Sequence, residues 1–581
     1  MSKNDAVATR LEEMADRLEA ADVSYKPNAY RRAADSIRAH TVAVERLYAE
    51  GGEDAIAEID DVGDAIAAKT AEFIETGSIE ELETLRAELP VEMDALTAVE
   101  GVGPKTVKSL YDALGIESLD DLEAAAEAGE IRAVKGFGEK TEANILERIP
   151  FARETRERSP LGEARPLADR LVSLFEDHEA VDSVETAGSI RRWRPTIGDV
   201  DILVGSDDGE VVIDAFEAFD GADTVIEAGT NKASVRSEGI RVDLRVVVPE
   251  EFGAALQYFT GSKEHNVAVR NRAIDAGLKV NEYGVFDVSD LDDPDAGQRV
   301  GERVAGDTEP GVYDALETAW VPPELREDRG EIEAAANDAL PDLLALEDVA
   351  GDLHVHTDHS DGQATIREMV DAADARGYKY VSIADHATGP GMVGGVGLSD
   401  AELLTQLETV RRVASEASID VLAGVEANVG VDGDVSVGDD VLAELDCVVA
   451  SPHSGLDGDG TERLLAAIEH PEVDIVGHPT GRLLNRRPGL DIDIERIADA
   501  AAAHGTALEI NADPRRLDLR SSYLKVAIEA GATISINTDA HTPSAYDHMR
   551  FGVHTARRGW AEPGDVLNCR GPDGLRRFLD R

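Results

Sequence analysis

The C-terminal part of the chain alternates short apolar segments with helical patterns, and this alternation restricts the fold more than any other sequence feature. Strands that alternate with helices predict a parallel sheet covered by those helices. Seven such units are present, which predicts a β/α barrel. The predicted strands are Leu353–His356, Tyr380–Ala384, Val421–Val425, Cys447–Ala450, Asp474–Val476, Ala507–Ile510 and Thr533–Ile536.

Histidine and acidic residues lie at or after the ends of these predicted strands. The C-terminal strand ends of a β/α barrel meet at one mouth, so we expect the side chains to converge there. Nine such groups exceed the three or four ligands that one zinc ion takes from a protein, so two or three ions are expected. Mn²⁺, Zn²⁺ and iron all suit ligands without sulfur. The predicted ligands are His354, His356, Asp361, His386, Glu426, His453, His478, Asp539 and His541.

The middle of the chain carries two aspartates on one predicted strand. Asp199 and Asp201 flank a single valine, and side chains alternate along a strand, so both carboxylates lie on the same face. Asp243, in the β-branched segment 240–248, can join them across the sheet. Three carboxylates repel one another unless a cation neutralises them, and oxygen ligands suit Mg²⁺. The pattern predicts phosphoryl transfer with two metal ions.

Two sequence blocks near these aspartates resemble the family X DNA polymerases, the relatives of DNA polymerase beta. The first is Gly188–Arg192 running on to Ile197–Val204, and the second begins with Tyr258–Ser262. The resemblance implies a nucleotidyltransferase α/β palm followed by a small thumb. It also implies DNA-directed DNA polymerase activity with dNTPs on gapped or nicked DNA.

The same resemblance implies roles around the aspartates. Asp199 and Asp201 would hold both metal ions, and Asp243 would hold the catalytic ion and help to activate the primer 3′ hydroxyl. Arg241 would lie beside Asp243. Hydroxyl and guanidinium groups suit phosphate oxygens. The residues implied to contact the triphosphate are Ser189, Arg192 and Gly198.

The second block is implied to check the incoming nucleotide. Tyr258, Phe259 and Gly261 would pack under its sugar and resist a 2′ hydroxyl. Asn266 and Arg270 would reach the minor groove at the nascent base pair. These contacts would select deoxynucleotides at the palm.

Residues 1–150 show helical periodicity and three glycine repeats, at 59–63, 99–103 and 134–138. Each repeat precedes a helical pattern, which predicts a helix-hairpin-helix turn or, alternatively, an ordinary helical turn. In the first case backbone N–H groups at a helix N-terminus bind a DNA phosphate without sequence preference. The predicted DNA-binding residues are Gly101, Gly103, Lys105, Gly136 and Gly138.

A further resemblance concerns three residues of the first helices. Lys26, Tyr30 and Lys69 resemble the part of DNA polymerase beta that removes a 5′-deoxyribose phosphate through a lysine Schiff base. Such a lysine must be neutral to attack an aldehyde, so we expect burial or a nearby cation to depress the pKa of Lys69. The alternative is a solvent-exposed helix lysine without a catalytic role.

The histidine-rich motifs resemble the polymerase and histidinol phosphatase (PHP) domain. They include Asp352–Asp361, Ala384–His386, Gly424–Glu426 and Asn537–His541. The whole chain therefore resembles a prokaryotic family X polymerase with a C-terminal PHP domain. The resemblance implies metal-dependent cleavage of phosphodiesters, either as a 3′-to-5′ exonuclease or at abasic sites. It also implies a role in gap-filling DNA repair.

The predicted architecture is multidomain, with α and α/β parts. It comprises two helix-hairpin-helix modules, the palm, the thumb and a distorted (β/α)₇ PHP barrel. A segment that is rich in proline and charge, 321–346, predicts a linker. The predicted boundaries are 1–90, 91–150, 151–248, 249–320, 321–346 and 347–581.

The acidic composition indicates a habitat rather than a ligand. The formal net charge is −61, and the chain contains 12 Lys against 45 Arg. In molar salt the Debye length falls to about 3 Å, so long-range repulsion of DNA is screened. We expect a halophilic source, a monomer in the cytoplasm, and no membrane segment, because no apolar run approaches the roughly 18 residues that a span requires.

Two alternatives to a bifunctional polymerase remain open from the residues. In one, the barrel is a nucleotide phosphatase or small-molecule phosphoesterase, and the polymerase part only tethers DNA. In the other, the chain is a non-catalytic scaffold for DNA ends. Extension of a gapped primer that is abolished by Asp243→Ala distinguishes the polymerase from both.

Overall fold

The computed structural model describes residues 3–23, 26–40, 43–59, 61–99, 101–294, 296–389 and 396–580. The helices and strands form an N-terminal helical region, a palm, a thumb and a barrel. Among the described residues, no helix combines the length and apolar character needed to cross a membrane.

The N-terminal region is helical and has two hydrophobic cores. One core is built around Leu11, Met14 and Ile37, and the other around Leu110 and Leu122. Arg17 joins the two, because its guanidinium donates to the carbonyl of Leu89 at 2.7 Å. The helices are α1 (Lys3–Ala20), α2 (Lys26–Ala39), α3 (Val44–Ile56), α4 (Asp64–Thr76), α5 (Glu80–Glu88), α6 (Met93–Thr97), α7 (Pro104–Leu114), α8 (Leu119–Glu127) and α9 (Glu139–Glu157).

The palm has a twisted sheet with strand order β2-β4-β7-β6-β5. Strands β4 and β7 are parallel neighbours and carry the predicted catalytic aspartates. Branched residues such as Val200, Ile202 and Val242 fill its core. The elements are β1 (Ser159–Pro160), α10 (Leu161–Glu176), β2 (Ser183–Thr186), α11 (Gly188–Arg191), β3 (Thr196–Ile197), β4 (Asp199–Gly205), α12 (Gly209–Glu217), β5 (Thr224–Ala228), β6 (Lys232–Ser237) and β7 (Ile240–Val247).

The thumb packs helices against a small antiparallel sheet, β10-β9-β8. The segment predicted as a linker, 321–346, is packed instead, because Val321, Leu325 and Ile332 belong to the thumb core. Some of its charges are buried and paired, and Arg326, which is fully buried, donates to Glu309. The elements are α13 (Phe252–Thr260), α14 (Lys263–Asp275), β8 (Leu278–Asn281), β9 (Gly284–Asp287), β10 (Glu302–Ala305), α15 (Glu309–Ala315) and α16 (Glu331–Ala336).

The described C-terminal residues form a parallel sheet of seven strands in sequence order, β11 to β17. A bridge between Val355 and Ala540 brings the first strand to the last, so the sheet is nearly closed and the predicted barrel is confirmed. The elements are β11 (Gly351–Val355), α17 (Ile366–Ala375), β12 (Tyr380–Ile383), α18 (Asp400–Ala414), β13 (Asp420–Asn428), α19 (Asp439–Leu442), β14 (Cys447–Ser451), α20 (Thr461–Glu469), β15 (Ile475–Val476), α21 (Ile494–His504), β16 (Ala507–Asn511), α22 (Ser521–Glu529), β17 (Ile534–Asn537), α23 (Met549–Arg558) and α24 (Pro572–Leu579).

Candidate active sites

The palm brings the three predicted aspartates together. In the parallel register of β4 and β7, Asp201 lies opposite Asp243, and Asp199 lies two residues earlier on the same face. One carboxylate oxygen from each of the three lies within 4.8 Å of the others. Arg241 donates through Nε to Asp243 at 2.9 Å, and the Ser234 hydroxyl also donates to this carboxylate. The structure therefore contains an acidic cluster in which Asp243 is oriented from two sides.

The electrostatics of this cluster fit a divalent cation. Burial, followed by the charges of Asp199 and Asp243, raises the pKa of Asp201 to about 7. A carboxylate is perturbed in this direction when its neighbours of like charge are not neutralised. A cation bound between the oxygens would remove the repulsion, and carboxylate oxygens are the ligands that Mg²⁺ prefers. Asp199, Asp201 and Asp243 therefore form a set that can hold it.

Gly188 approaches the cluster closely because it lacks a side chain. Its φ is 58°, in the left-handed region, and a Cβ added there would lie 1.9 Å from Oδ2 of Asp201. The amide of Ala187 donates to the main-chain carbonyl of Asp201 at 2.8 Å, which fixes the approach. The short helix α11 can therefore begin at Gly188, directly beside the carboxylates.

The other residues expected at the triphosphate lie in the same neighbourhood. Gly198 immediately precedes β4, and a Cβ there would lie 3.2 Å from the Arg158 guanidinium. The guanidinium of Arg192 is buried and is bound by the protein itself, because it donates to Glu327 at 3.0 Å and to the carbonyl of Thr260 at 2.7 Å. In this conformation Arg192 joins the palm to the thumb.

The predicted nucleotide-checking block lies at the junction of α13 and α14. The rings of Tyr258 and Phe259 meet edge to face at a centroid distance of 5.1 Å. Asn266 donates to the carbonyl of Tyr258 at 2.7 Å, and a Cβ on Gly261 would lie 2.4 Å from the Asn266 oxygen. Asn266 therefore braces the end of α13, whereas Arg270 is exposed on α14.

The barrel mouth brings together the nine predicted ligands. Glu426, fully buried on β13, has carboxylate oxygens within 4 Å of five histidine rings. Asp361 lies within 4 Å of three rings, and Asp539 completes the set at 3.0 Å from His356. The histidines around Glu426 are His354, His356, His386, His453 and His478, and those around Asp361 are His356, His386 and His541.

These side chains form three overlapping groups whose ligand atoms lie within 4.8 Å of one another. Within the described residues, Nε2 of His354, Nε2 of His356, Oε2 of Glu426 and Oδ1 of Asp539 are buried and make no hydrogen bond of acceptable geometry, although Nε2 of His356 lies 3.0 Å from Oδ1 of Asp539. Buried polar atoms normally have partners, so atoms left without one at a convergent site fit metal coordination. The groups are His356, Asp361, His386 and His541; His354, His356 and Glu426; and His386, Glu426 and His453.

Strong electrostatic coupling also marks the mouth as a functional site. Burial would raise the pKa of Glu426, but His453 and the other histidines lower it well below its usual value. Burial lowers the pKa of His453 to about 4. His541 is the opposite case, because Asp361 and Asp539 outweigh burial and raise its pKa to about 9. The mouth thus holds ionised carboxylates against both neutral and cationic imidazoles.

Glu509 is a site residue that the sequence reasoning missed. It is fully buried on β16 and accepts from the ring of His354 at 2.8 Å and from the amide of His478 at 2.6 Å. Asn537 donates to the same carboxylate at 2.9 Å. A carboxylate behind a ligating histidine fixes the orientation of its ring. A buried acid in an otherwise apolar predicted strand was the signal that could have identified it.

The three glycine repeats form closely similar turns. In each, an amide donates to the carbonyl three residues earlier, at 2.9 to 3.1 Å. The residue before that amide has a left-handed φ, namely 59° at Asp61, 86° at Gly101 and 99° at Gly136. The next glycine is the N-cap of the following helix, whose first backbone N–H groups have no acceptor within the helix. These N-caps are Gly63, Gly103 and Gly138.

Comparison with protein families agrees with this organisation. Residues 2–79 match a helix-hairpin-helix domain, and 93–149 match a SAM-like helix-hairpin-helix tandem. Residues 255–327 match the DNA polymerase beta thumb, and 352–513 match the PHP domain. The DNA polymerase/3′-5′ exonuclease PolX of Bacillus subtilis (strain 168) is 34% identical over 567 residues, or 96% of each chain. The chain belongs to the family X DNA polymerases that carry a PHP domain.

Other relatives match part of the chain. DNA polymerase lambda of Rattus norvegicus is 26% identical over 243 residues, 39% of this chain and 40% of that protein. A probable phosphatase of Edwardsiella ictaluri (strain 93-146) is 30% identical over 244 residues, 40% of this chain and 94% of that protein. A probable phosphatase of Shewanella sp. (strain MR-4) is 31% identical over 245 residues, 39% and 90% respectively. The chain is thus similar over part of its length to a DNA polymerase and over part of its length to probable phosphatases.

Lys69 has an environment opposite to the one expected for a lyase nucleophile. Burial lowers its pKa, but the hydrogen bond to Glu81 and the nearby Tyr30 raise it by more, so the net pKa lies above the usual value. Its ammonium lies 2.9 Å from Glu81. Tyr30 is buried beside it, whereas Lys26 is exposed. The expected depression of the Lys69 pKa is therefore wrong for this structure.

The predicted DNA contact Lys105 is exposed on α7. Its ammonium forms an ion pair with Asp22 at 2.8 Å, between two largely exposed side chains. Exposed pairs of this kind contribute about 0 to 1 kcal/mol. A phosphate could displace Asp22 at little cost in free energy.

Proposed function

We propose that this protein is a DNA polymerase that fills gaps during DNA repair and trims 3′ ends in its barrel. The observation that carries the proposal is the convergence of Asp199, Asp201 and Asp243 beside Gly188. The histidine and carboxylate groups at the barrel mouth, which could hold metal ions, support the trimming activity. Membership of a family that includes a DNA polymerase/3′-5′ exonuclease supports both assignments.

In the palm, the protein groups orient the reacting oxygens. Mg²⁺ held by the three aspartates would supply charge neutralisation and lower the pKa of the primer hydroxyl. Arg241 and Ser234 hold Asp243 in one orientation. We propose that Asp243, held in this orientation, helps to activate the primer 3′ hydroxyl. Gly188 lets the main chain of the segment proposed to bind the triphosphate approach the Asp201 carboxylate.

In the barrel, Glu426 and Asp361 organise the histidines, and Glu509 fixes His354 from behind. Metal ions held there would activate water and stabilise charge on a phosphodiester. Their identity stays a proposal, with Mn²⁺ and Zn²⁺ suited to the ligand set. Asp361 and Asp539 outweigh burial and raise the pKa of His541 to about 9. Metal binding must therefore displace a proton at this position, which makes it pH-dependent.

The helix-hairpin-helix turns would hold the duplex that enters the palm. Their exposed amides bind phosphate by hydrogen bonding without requiring a basic surface. This mode suits a chain whose net charge is −61. We propose Gly101, Gly103, Lys105, Gly136 and Gly138 as the contact residues.

The decisive experiment compares extension and trimming in the same preparation. In molar KCl with Mg²⁺ and Mn²⁺, the wild-type protein should extend a primer across a one-nucleotide gap and shorten an end-labelled 3′ strand. Asp243→Ala should abolish extension and keep trimming, and Glu426→Gln should do the reverse. The activity that each variant keeps therefore shows that this variant is folded.

Other outcomes would point to the alternative functions. Phosphate release from nucleotides without extension would favour a phosphatase that tethers DNA, as the two probable phosphatases suggest. DNA binding that survives both variants, with neither reaction in the wild type, would favour a scaffold for DNA ends. Loss of trimming in Asp243→Ala would contradict two separate centres.

We propose the lyase reaction as a third, weaker activity. Lys69 is near Tyr30, as expected for the site, but Glu81 favours its protonated form. Only the neutral amine attacks an aldehyde. Any Schiff base should therefore form slowly at neutral pH, and borohydride trapping on a 5′-deoxyribose phosphate substrate measures it.

A further inference from the structure

The turn that follows the predicted triphosphate-binding helix is strained. Trp193 has a φ of 54°, and a bulky residue in the left-handed region is a genuine outlier. Its amide donates to the carbonyl of Ile190 at 3.0 Å, and the amide of Arg194 donates to that of Ser189 at 3.1 Å. Such strain persists only when the surroundings over-determine the conformation. The contacts of Trp193 therefore identify the parts of the protein that impose this conformation.

The barrel holds the indole of Trp193 in place. His554, on helix α23, stacks on it with a centroid distance of 3.6 Å and an interplanar angle of 6°. Arg165 of the palm lies over the indole at 4.7 Å, and Phe551 meets it edge on at 5.9 Å. The His554 ring is fixed in turn by Glu324, whose carboxylate lies 2.7 Å from Nδ1. Helix α23 thus contacts the strained turn through two aromatic rings.

A buried ion cluster ties the same turn to the same helix. Arg558, 4% exposed, donates to the main-chain carbonyl of Arg192 and to Glu327 at 3.1 Å. Glu327 also accepts from Arg192 at 3.0 Å and from Arg194 at 3.4 Å. Burial alone would raise the pKa of Glu327, but these arginines lower it to about 2, so the carboxylate is ionised.

Burying these charges costs desolvation free energy that apolar residues of the same volume would not cost. Buried ion pairs often stabilise a fold no better than apolar residues of the same volume, so they are weak evidence for stability and better evidence for specificity. Here the charges fix the segment 188–194, which begins beside Asp201 and contains two of the three implied triphosphate contacts, Ser189 and Arg192. The barrel therefore supplies part of the framework of the polymerase site.

We propose that helix α23 of the barrel positions the nucleotide-binding segment 188–194 of the palm, through Arg558 on the Arg192 carbonyl and His554 on Trp193. The inference rests on the proposed polymerase function and deepens it. Arg558 and His554 act through other residues, so they are positioning residues. Their loss should raise KM for dNTP and leave cleavage in the barrel intact.

Steady-state gap filling by the full chain tests the proposal. Arg558→Ala and His554→Ala should each raise KM for dNTP at least about tenfold, with a smaller change in kcat, because small displacements at a reacting site carry large penalties. Arg558→Lys, which keeps the charge but not the two-pronged geometry, should lie between them and the wild type. Arg576→Ala removes an exposed ion pair with Asp420 on helix α24 of the barrel and should leave KM unchanged.

Trimming of an end-labelled 3′ strand is measured on each preparation to report folding. If the wild type extends the primer and both alanine variants keep its KM, the proposal is wrong. If Arg558→Ala loses both activities, His554→Ala decides, because it removes the stacking and keeps the Arg558 cluster. Loss of both activities there as well would indicate general destabilisation and overturn the proposal. No extension by the wild type would instead refute the proposed polymerase function.

Discussion

The pKa of Asp201 predicts how the palm should bind Mg²⁺ as the pH changes. Burial and the charges of Asp199 and Asp243 raise this pKa to about 7, and the ion requires the ionised carboxylate. Below the pKa each binding event must release a proton, so the affinity falls as the pH falls. Between about pH 7.5 and about pH 5.5 the ionised fraction drops about 25-fold, which is about 1.9 kcal/mol of binding free energy.

Titration calorimetry can measure this dependence in a protein whose barrel no longer binds metal ions. Glu426→Ala with Asp361→Ala provides that background, and molar KCl screens the surface carboxylates. Adding Asp201→Asn gives the matched control, because amide substitution removes the titrating group and should flatten the pH dependence of any remaining binding. An affinity that is constant between the two pH values, with Asp201 intact, would refute the electrostatic reasoning.

Four further predictions concern other parts of the chain. Gly188→Ala should reduce extension by more than about a hundredfold and keep 3′ trimming, because its Cβ would collide with Asp201; equal loss of both reactions would contradict this. Glu509→Gln should weaken metal binding at the barrel about 10- to 100-fold, measured by equilibrium dialysis with Mn²⁺, since the histidine loses its anionic acceptor; unchanged metal content would show that the carboxylate is dispensable. Glu81→Gln should lower the pKa of Lys69, so the pH profile of borohydride trapping should move to lower pH; an unmoved profile would mean that another group sets it. Gap filling should be faster in molar KCl than at low salt, because screening removes repulsion between DNA and the acidic surface; inhibition by salt would contradict the halophilic interpretation.

Much of both sites could be predicted because their residues follow the periodicity of strands. Asp199 and Asp201 share a face for that reason, and register then places Asp243 opposite. In the barrel, strand ends meet at one mouth whatever the intervening helices contain, so Glu426 and His541 could be assigned from position alone. Local chain geometry determines such sites.

The contacts that periodicity does not reveal are made with partners distant in sequence. The charges of the segment 321–346 indicate a solvated linker, yet the Glu327 side chain is only 9% exposed and pairs with arginines from the palm and the barrel. Arg192 was expected to face a triphosphate, and its partner lies 135 residues away. Lys69 reads as a neutral nucleophile until Glu81 is placed beside it. Pairing of this kind cannot be deduced from periodicity.

The palm and the barrel form one structural unit as well as one chain. Leu517 and Phe551 of the barrel belong to the hydrophobic core of the palm, and both are almost fully buried. At another point of contact, a Cβ on Gly162 of the palm would lie 2.6 Å from Pro514 of the barrel. Interiors packed this closely do not deform continuously, so relative movement of the two parts would open a core. We therefore expect a 3′ end to pass between the two centres by movement of the strand itself, with both centres held in place.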